Sequence, residues 1–116
     1  MTATMKTQAD LEKAFRDIRA STGWNLDGDN AWGFFFFDTD PKLLDQLSDE
    51  LVTGGYRRVN LFEMDADGWM LHVERVERHD PVSLFARNGV LTKMAKDRGI
   101  AAYDGWDVAP VAVKKA

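Results

Sequence analysis

Two histidines seven residues apart, His72 and His79, are the first places to look for chemistry in this sequence, and their spacing matches no metal motif. There is no cysteine, so the chain has neither disulfides nor a thiolate nucleophile or ligand. Ser21, Ser48 and Ser83 sit in ordinary loop or helix contexts without a nucleophile elbow, and no glycine-rich phosphate loop is present. The stretch "DGDN", with Asp27, Asp29 and Asn30, offers oxygen ligands, but the twelve-residue calcium loop ending in glutamate is missing. Glu63, Asp65 and Asp67 make an acidic hairpin end that reads as a solvated turn rather than a divalent-cation site. One acid–base constellation stays open. Glu63, His72 and Glu74 would line a sheet, and an enzyme or small-ligand site built from them would show strongly shifted pKa values in an apolar pocket. These residues by themselves assign no catalytic group, no metal and no cofactor, and the expectation is a non-enzyme.

Positioning these groups falls to one domain: 116 residues are enough to bury a single core without staples. The net charge of −4 speaks to solubility and counts against broad nucleic-acid binding. The start, "MTATMKTQAD", lacks the apolar run of a signal peptide, and the longest apolar cluster, "WGFFFF", is too short to span a bilayer. A cytoplasmic chain with no membrane contact is the expectation. In "TQADLEKAFRDIRASTG", Leu11, Ala14, Phe15 and Ile18 recur at helical spacing, with Thr7 to cap and Gly23 to end the helix. "WNLDGDN" is a loop, and "AWGFFFF" is a strand buried on both faces.

Two further helices open alike, Asp40 before Pro41 and Asp80 before Pro81, with the aspartate as cap and the proline first in the helix. Leu44, Leu47 and Leu51 stripe the first up to Gly54, and Leu84, Leu91, Met94 and Ala95 stripe the second up to Gly99. Between them the period falls to two. Val59 and Leu61 share one face, with Arg58, Asn60, Phe62 and Met64 on the other; after the "DADG" turn, Trp69, Leu71 and Val73 oppose Met70, His72 and Glu74. A short last strand covers residues 100–103. Strand, helix, strand, strand, helix, strand, behind an extra N-terminal helix, is the α+β split β-α-β arrangement of the ferredoxin-like fold. It would be a four-stranded antiparallel sheet with two helices on one face. The domain plan is 1–30 for the N-terminal helix and loop, 31–107 for the ferredoxin-like domain and 108–116 for a C-terminal tail.

On such a sheet Phe34 and Phe36 face the helices, and Phe35 and Phe37 face the other way, where the N-terminal helix, a second copy or a partner must cover them. Phe35, Phe37, Arg58, His72 and Glu74 are therefore the candidate contacts of the sheet face. RNA-recognition modules of similar topology stack bases on such a face, but the glycine–aromatic pattern of that module is missing, and Arg57 and Arg58 are the only basic pair nearby. Direct nucleic-acid binding is not expected. Tyr103, Asp104, Gly105 and Trp106 form the second candidate motif. Asp104-Gly105 is a turn dipeptide, so the chain would fold back and lay Trp106 over apolar surface as a lock. The other reading presents Tyr103 or Trp106 to a protein partner as an anchor.

The strand "WGFFFFDT", the helix closing in "TGGYRRV", the strand "DGWMLHVER" and "YDGW" after the last helix together resemble the regulator of ribonuclease activity B family. The resemblance spans roughly residues 31–107 and finds no counterpart for the first twenty-odd. It implies a ferredoxin-like α/β fold without catalytic residues, and a role through protein contact, since the family includes a member that binds ribonuclease E and restrains it. One departure stands out. The best-known bacterial member ends in a strongly acidic tail, whereas this chain ends "APVAVKKA", with two lysines and no acid. The resulting expectation is a non-enzymatic, protein-binding regulator of a ribonuclease such as ribonuclease E. A homodimer through the open sheet face, an enzyme or small-ligand domain on the same scaffold, and an RNA-binding or oligomeric structural module are the alternatives.

Overall fold

Each helix begins where the sequence supplies an acceptor for backbone N–H groups that have no partner in the first turn. In the computed structural model, which describes residues 7–65 and 67–111, helix α1 is Gln8–Thr22, and Thr7 and Asp10 cap each other reciprocally at 3.1 and 3.2 Å. Helix α2 is Pro41–Thr53, with the Asp40 carboxylate accepting from the Lys42 N–H at 2.9 Å. Helix α3 is Pro81–Asp97, where Asp80 accepts from the Ser83 N–H at 2.7 Å. Both prolines occupy the first turn, as the Asp-Pro pairs predict. The strands are β1 (Asn30–Asp38), β2 (Arg57–Met64), β3 (Gly68–Glu77) and β4 (Ala102–Pro110).

The sheet runs β2-β3-β1-β4, with every neighbouring pair antiparallel. Strand β1, the most aromatic, is central, while β2, exposed at nearly every position, is an edge. The fold is thus α+β, with helices on a four-stranded antiparallel sheet. Trp32, Phe34 and Phe36 of β1 are fully buried and meet Leu71 and Val73 of β3, Leu44, Leu47 and Leu51 of α2, and Leu84 and Leu91 of α3.

Helix α1 joins the same core, alongside α3. Phe15 stacks on Trp32 at 5.7 Å between ring centroids and lies 6.3 Å from Trp106. Full burial of Leu11 and Phe15, at about 1.5–3 kcal/mol each, holds it there. All three helices among the described residues therefore share one face, and α1 does not cover Phe35 and Phe37.

Two strands depart from the expected pattern. The last strand is nine residues long, not four, and "YDGW" lies within it. Phe36 pairs with Tyr103 and Phe35 with Gly105, so Asp104 is the extra residue of a β-bulge, and Gly105 takes φ 108°. Asp104-Gly105 kinks a strand instead of reversing the chain: a bulge and a turn both ask for a residue tolerant of positive φ. In β2 the register slips between Arg58 and Asn60, with Val59 as the odd residue. This slip moves Arg58 to the helix side, opposite buried Val73, while Asn60, Phe62 and Met64 stay on the open side.

Candidate protein-binding face

The sheet face without helices is organised around two glycines of central strands. At Gly68 a Cβ would come within 2.2 Å of the Phe37 ring, so the missing side chain is the space in which Phe37 lies. At Gly33 a Cβ would meet Asp107 Oδ1 at 2.2 Å and His72 Nε2 at 2.7 Å, so both polar side chains fold down over the sheet. Phe35, paired with His72 across the strands, stacks on the imidazole at 4.3 Å with the planes 17° apart. Burial lowers the His72 pKa below its ordinary value, against the opposing pull of Asp107 and Glu74. Asp107 is an exposed residue, but its carboxyl group rests against the sheet, and this desolvation raises its pKa, opposed by His72 and by a hydrogen bond from the Gly33 backbone. Glu74 is held by Arg57, whose Nε lies 3.0 Å from the carboxylate. Towards the β2 edge the face is apolar, with Phe62 and Met64 38% and 39% exposed.

Phe35, Phe37, His72 and Glu74 therefore lie together on this face. Arg58 does not: its guanidinium pairs with Asp45 of α2 at 2.6 Å, on the opposite side of the sheet, and Arg57 occupies the place expected for it. The acid–base constellation of Glu63, His72 and Glu74 also divides. Glu63 pairs with Trp69, which packs on the core, so its side chain leaves the sheet on the other side from His72. Tyr103 and Trp106 are on the helix-covered side. The Tyr103 hydroxyl donates to Asn88 Oδ1 at 2.6 Å, burial pushes its pKa well up, and Trp106 is 6% exposed. Asp104 stands at the bulge between them. Asp27 and Asp29 of the "DGDN" loop pair with Arg19 and Arg78. Among the described residues no group of His, Cys, Asp or Glu is arranged to hold a metal ion, and no helix is long and apolar enough to cross a membrane.

A polar cluster on the covered side escaped sequence reasoning. Arg87 of α3 donates to both carboxylate oxygens of Glu77, at 2.6 and 3.1 Å, and to the Tyr56 hydroxyl at 2.8 Å. His79, the second of the two histidines, is buried between Glu77 and Ser83 and meets Trp32 edge-on at 5.0 Å. The Glu77 carbonyl accepts from Trp32 Nε1 at 2.9 Å. Burial raises the Glu77 pKa, but hydrogen bonds from Arg87 and His79 outweigh it and hold the carboxyl below its usual range. The signal was present in the sequence: Leu84, Arg87, Asn88 and Leu91 follow one helical stripe, so two polar residues interrupt an apolar face. The cluster ties β3 to α3, and its partners are all internal.

The family model described as Regulator of ribonuclease activity B matches residues 8–108. The chain belongs to this family. The match starts at the first residue of α1, so the N-terminal helix that stood outside the sequence resemblance is part of the domain shared by these regulators of ribonuclease activity. The family is non-catalytic, and the chain is accordingly a regulator and not an enzyme. No curated protein matches the chain. The family match also takes in every residue of the open face named above.

Proposed function

We propose that this chain is a cytoplasmic regulator that binds a ribonuclease, of the ribonuclease E kind, through the open face of its sheet and alters its activity by contact alone. The observation carrying this reading is the open face itself: among the described residues three helices crowd one side, and none lies over Phe35, Phe37, Phe62 and Met64. An apolar patch rimmed by polar groups on a family of regulators suits a protein partner. The scaffold is read as ferredoxin-like, supported by the strand order β2-β3-β1-β4 and by crossovers through α2 and α3. Residues 31–107 are its body and α1 an added helix. Base stacking is disfavoured by charge: Arg57 is spent on Glu74, and Asp107 adds a carboxyl group to the face.

The test pairs the purified chain with ribonuclease E and a defined RNA substrate, following cleavage rate and complex formation. Phe62→Asp introduces a charge at an exposed edge position, so folding survives while binding and the effect on cleavage are lost. A wild-type chain that neither binds nor changes cleavage overturns the ribonuclease reading. A Phe62→Asp chain that binds as well as the wild type overturns the choice of face. A dimer of the free chain that Phe62→Asp dissociates would assign the face to a second copy instead.

A further inference from the structure

A groove of about 450 Å³ runs between α1 and the edge strand β4, on the other side of β4 from the open face. Its walls are apolar: Ala14 and Ile18 from α1, Trp24 just beyond, and Trp106 and Val108 from β4. Its rim is acidic. The Asp10 and Asp17 carboxylates line it against the single ammonium of Lys13, which is already paired with Asp17 at 2.6 Å across two exposed side chains. Asp10 and Asp17 stand seven residues apart on one face of α1, whereas Asp107 borders the groove from β4 with its carboxyl turned to Gly33 on the open face. Trp106 is 6% exposed and its indole Nε1 is buried without an acceptor among the described residues, an unfavourable state. Two carboxylates beside two tryptophans suit an organic cation, because a guanidinium or ammonium gains from both the charge and the indole faces. The groove also borders β4, an edge strand of the sheet and so the kind of element to which an extended segment adds.

We propose that this groove docks an extended, arginine- or lysine-bearing segment of a partner protein. Its apolar residues fill the tryptophan walls, its cationic side chains meet Asp10 and Asp17, and one of its carbonyls takes the Trp106 N–H. The proposal deepens the protein-binding reading, and it concerns a surface separate from Phe35, Phe37 and Phe62.

The experiment uses the full chain labelled with ¹⁵N and three probes: a blocked pentapeptide of alternating leucine and arginine, the same peptide with citrulline for arginine, and free arginine amide. The arginine peptide is expected to shift the Trp24 and Trp106 indole N–H resonances and to bind about tenfold more tightly than the citrulline peptide. Asp17→Asn should bring the two peptides together, and Lys13→Gln should tighten the arginine peptide, a gain that misfolding cannot produce. Equal binding of both peptides, shifts confined to the open sheet face, or no gain from Lys13→Gln overturns the proposal. Free arginine amide binding as tightly as the peptide would make the occupant a small cation and overturn the extended segment. Phe62→Asp should leave the peptide shifts unchanged while removing ribonuclease binding, so the two readings fail separately.

Discussion

The four consecutive phenylalanines of β1 meet two different environments, and the comparison separates what holds this protein together from what the helices leave open. Phe34 and Phe36 are fully buried beneath three helices, with Tyr56, Arg87 and Tyr103 around their rings. Phe35 and Phe37 are partly exposed, and their supports come from the sheet alone: an imidazole under one, a glycine under the other. Residue type is identical across the run, so type cannot assign the role. Parity along the strand does, once the helices have chosen a side.

The largest way to sharpen this contrast is Trp106→Ala. Trp106 sits with Phe15 and Trp32 at 6.3 and 5.8 Å, joining α1, β1 and β4 on the covered side. Its truncation should lower stability by about 3–5 kcal/mol in urea unfolding. A wild-type urea midpoint in this variant would remove Trp106 from the covered core and break the division between the faces.

Much of that covered side was legible in the sequence. The Asp-Pro openings fixed the starts of α2 and α3 because capping and a missing first-turn N–H are local effects. The hairpin of β2 and β3 followed from period two. The failures were non-local. Asp104-Gly105 carries the same residue preference in a bulge as in a turn, and only pairing with Phe35 and Phe36 distinguishes the two. The slip at Val59 moved Arg58 off the open face for the same reason, since one extra residue reverses parity without leaving a mark in composition. The position of α1 depended on Phe15 finding Trp32 and Trp106, which a helical stripe alone does not reveal. The open face follows from alternation; the meeting of Asp107 with Gly33 does not, because it depends on β4 pairing with β1 beyond the bulge.

A smaller effect comes from testing whether the open face is itself built. Gly33→Ala puts a methyl group where Asp107 and His72 now lie, and both must swing away from the sheet. The expected cost is about 1–3 kcal/mol, as for overpacking a fitted site. With His72 displaced from its stack on Phe35, its NMR titration should move up towards the ordinary 6.5. A variant with unchanged stability and an unchanged titration would show that the polar pair merely rests on the surface, and the face would lose its internal structure.

The smallest expected effect is with pH, and it sets one face against the other through their histidines. His72 on the open face and His79 on the covered face both lie below the ordinary 6.5, because burial disfavours the imidazolium. As pH falls through 6.5 the unfolded chain takes up protons before the folded chain does, so the stability these groups contribute is present above 6.5 and lost on acidification. Asp107 works in the other direction. Its raised pKa lets the folded chain hold a proton above 3.8, so its contribution is present at low pH and disappears as pH rises through the folded value. Between about pH 7.5 and about pH 5.5 the histidines dominate, and the wild-type urea midpoint should fall. His72→Gln should flatten part of that slope, and His79→Gln should flatten more of it, because His79 is the more buried of the two. A wild-type midpoint that does not fall would remove the linkage altogether. A slope that His72→Gln flattens and His79→Gln leaves untouched would reverse the ranking and make the open face the more pH-sensitive side of the sheet.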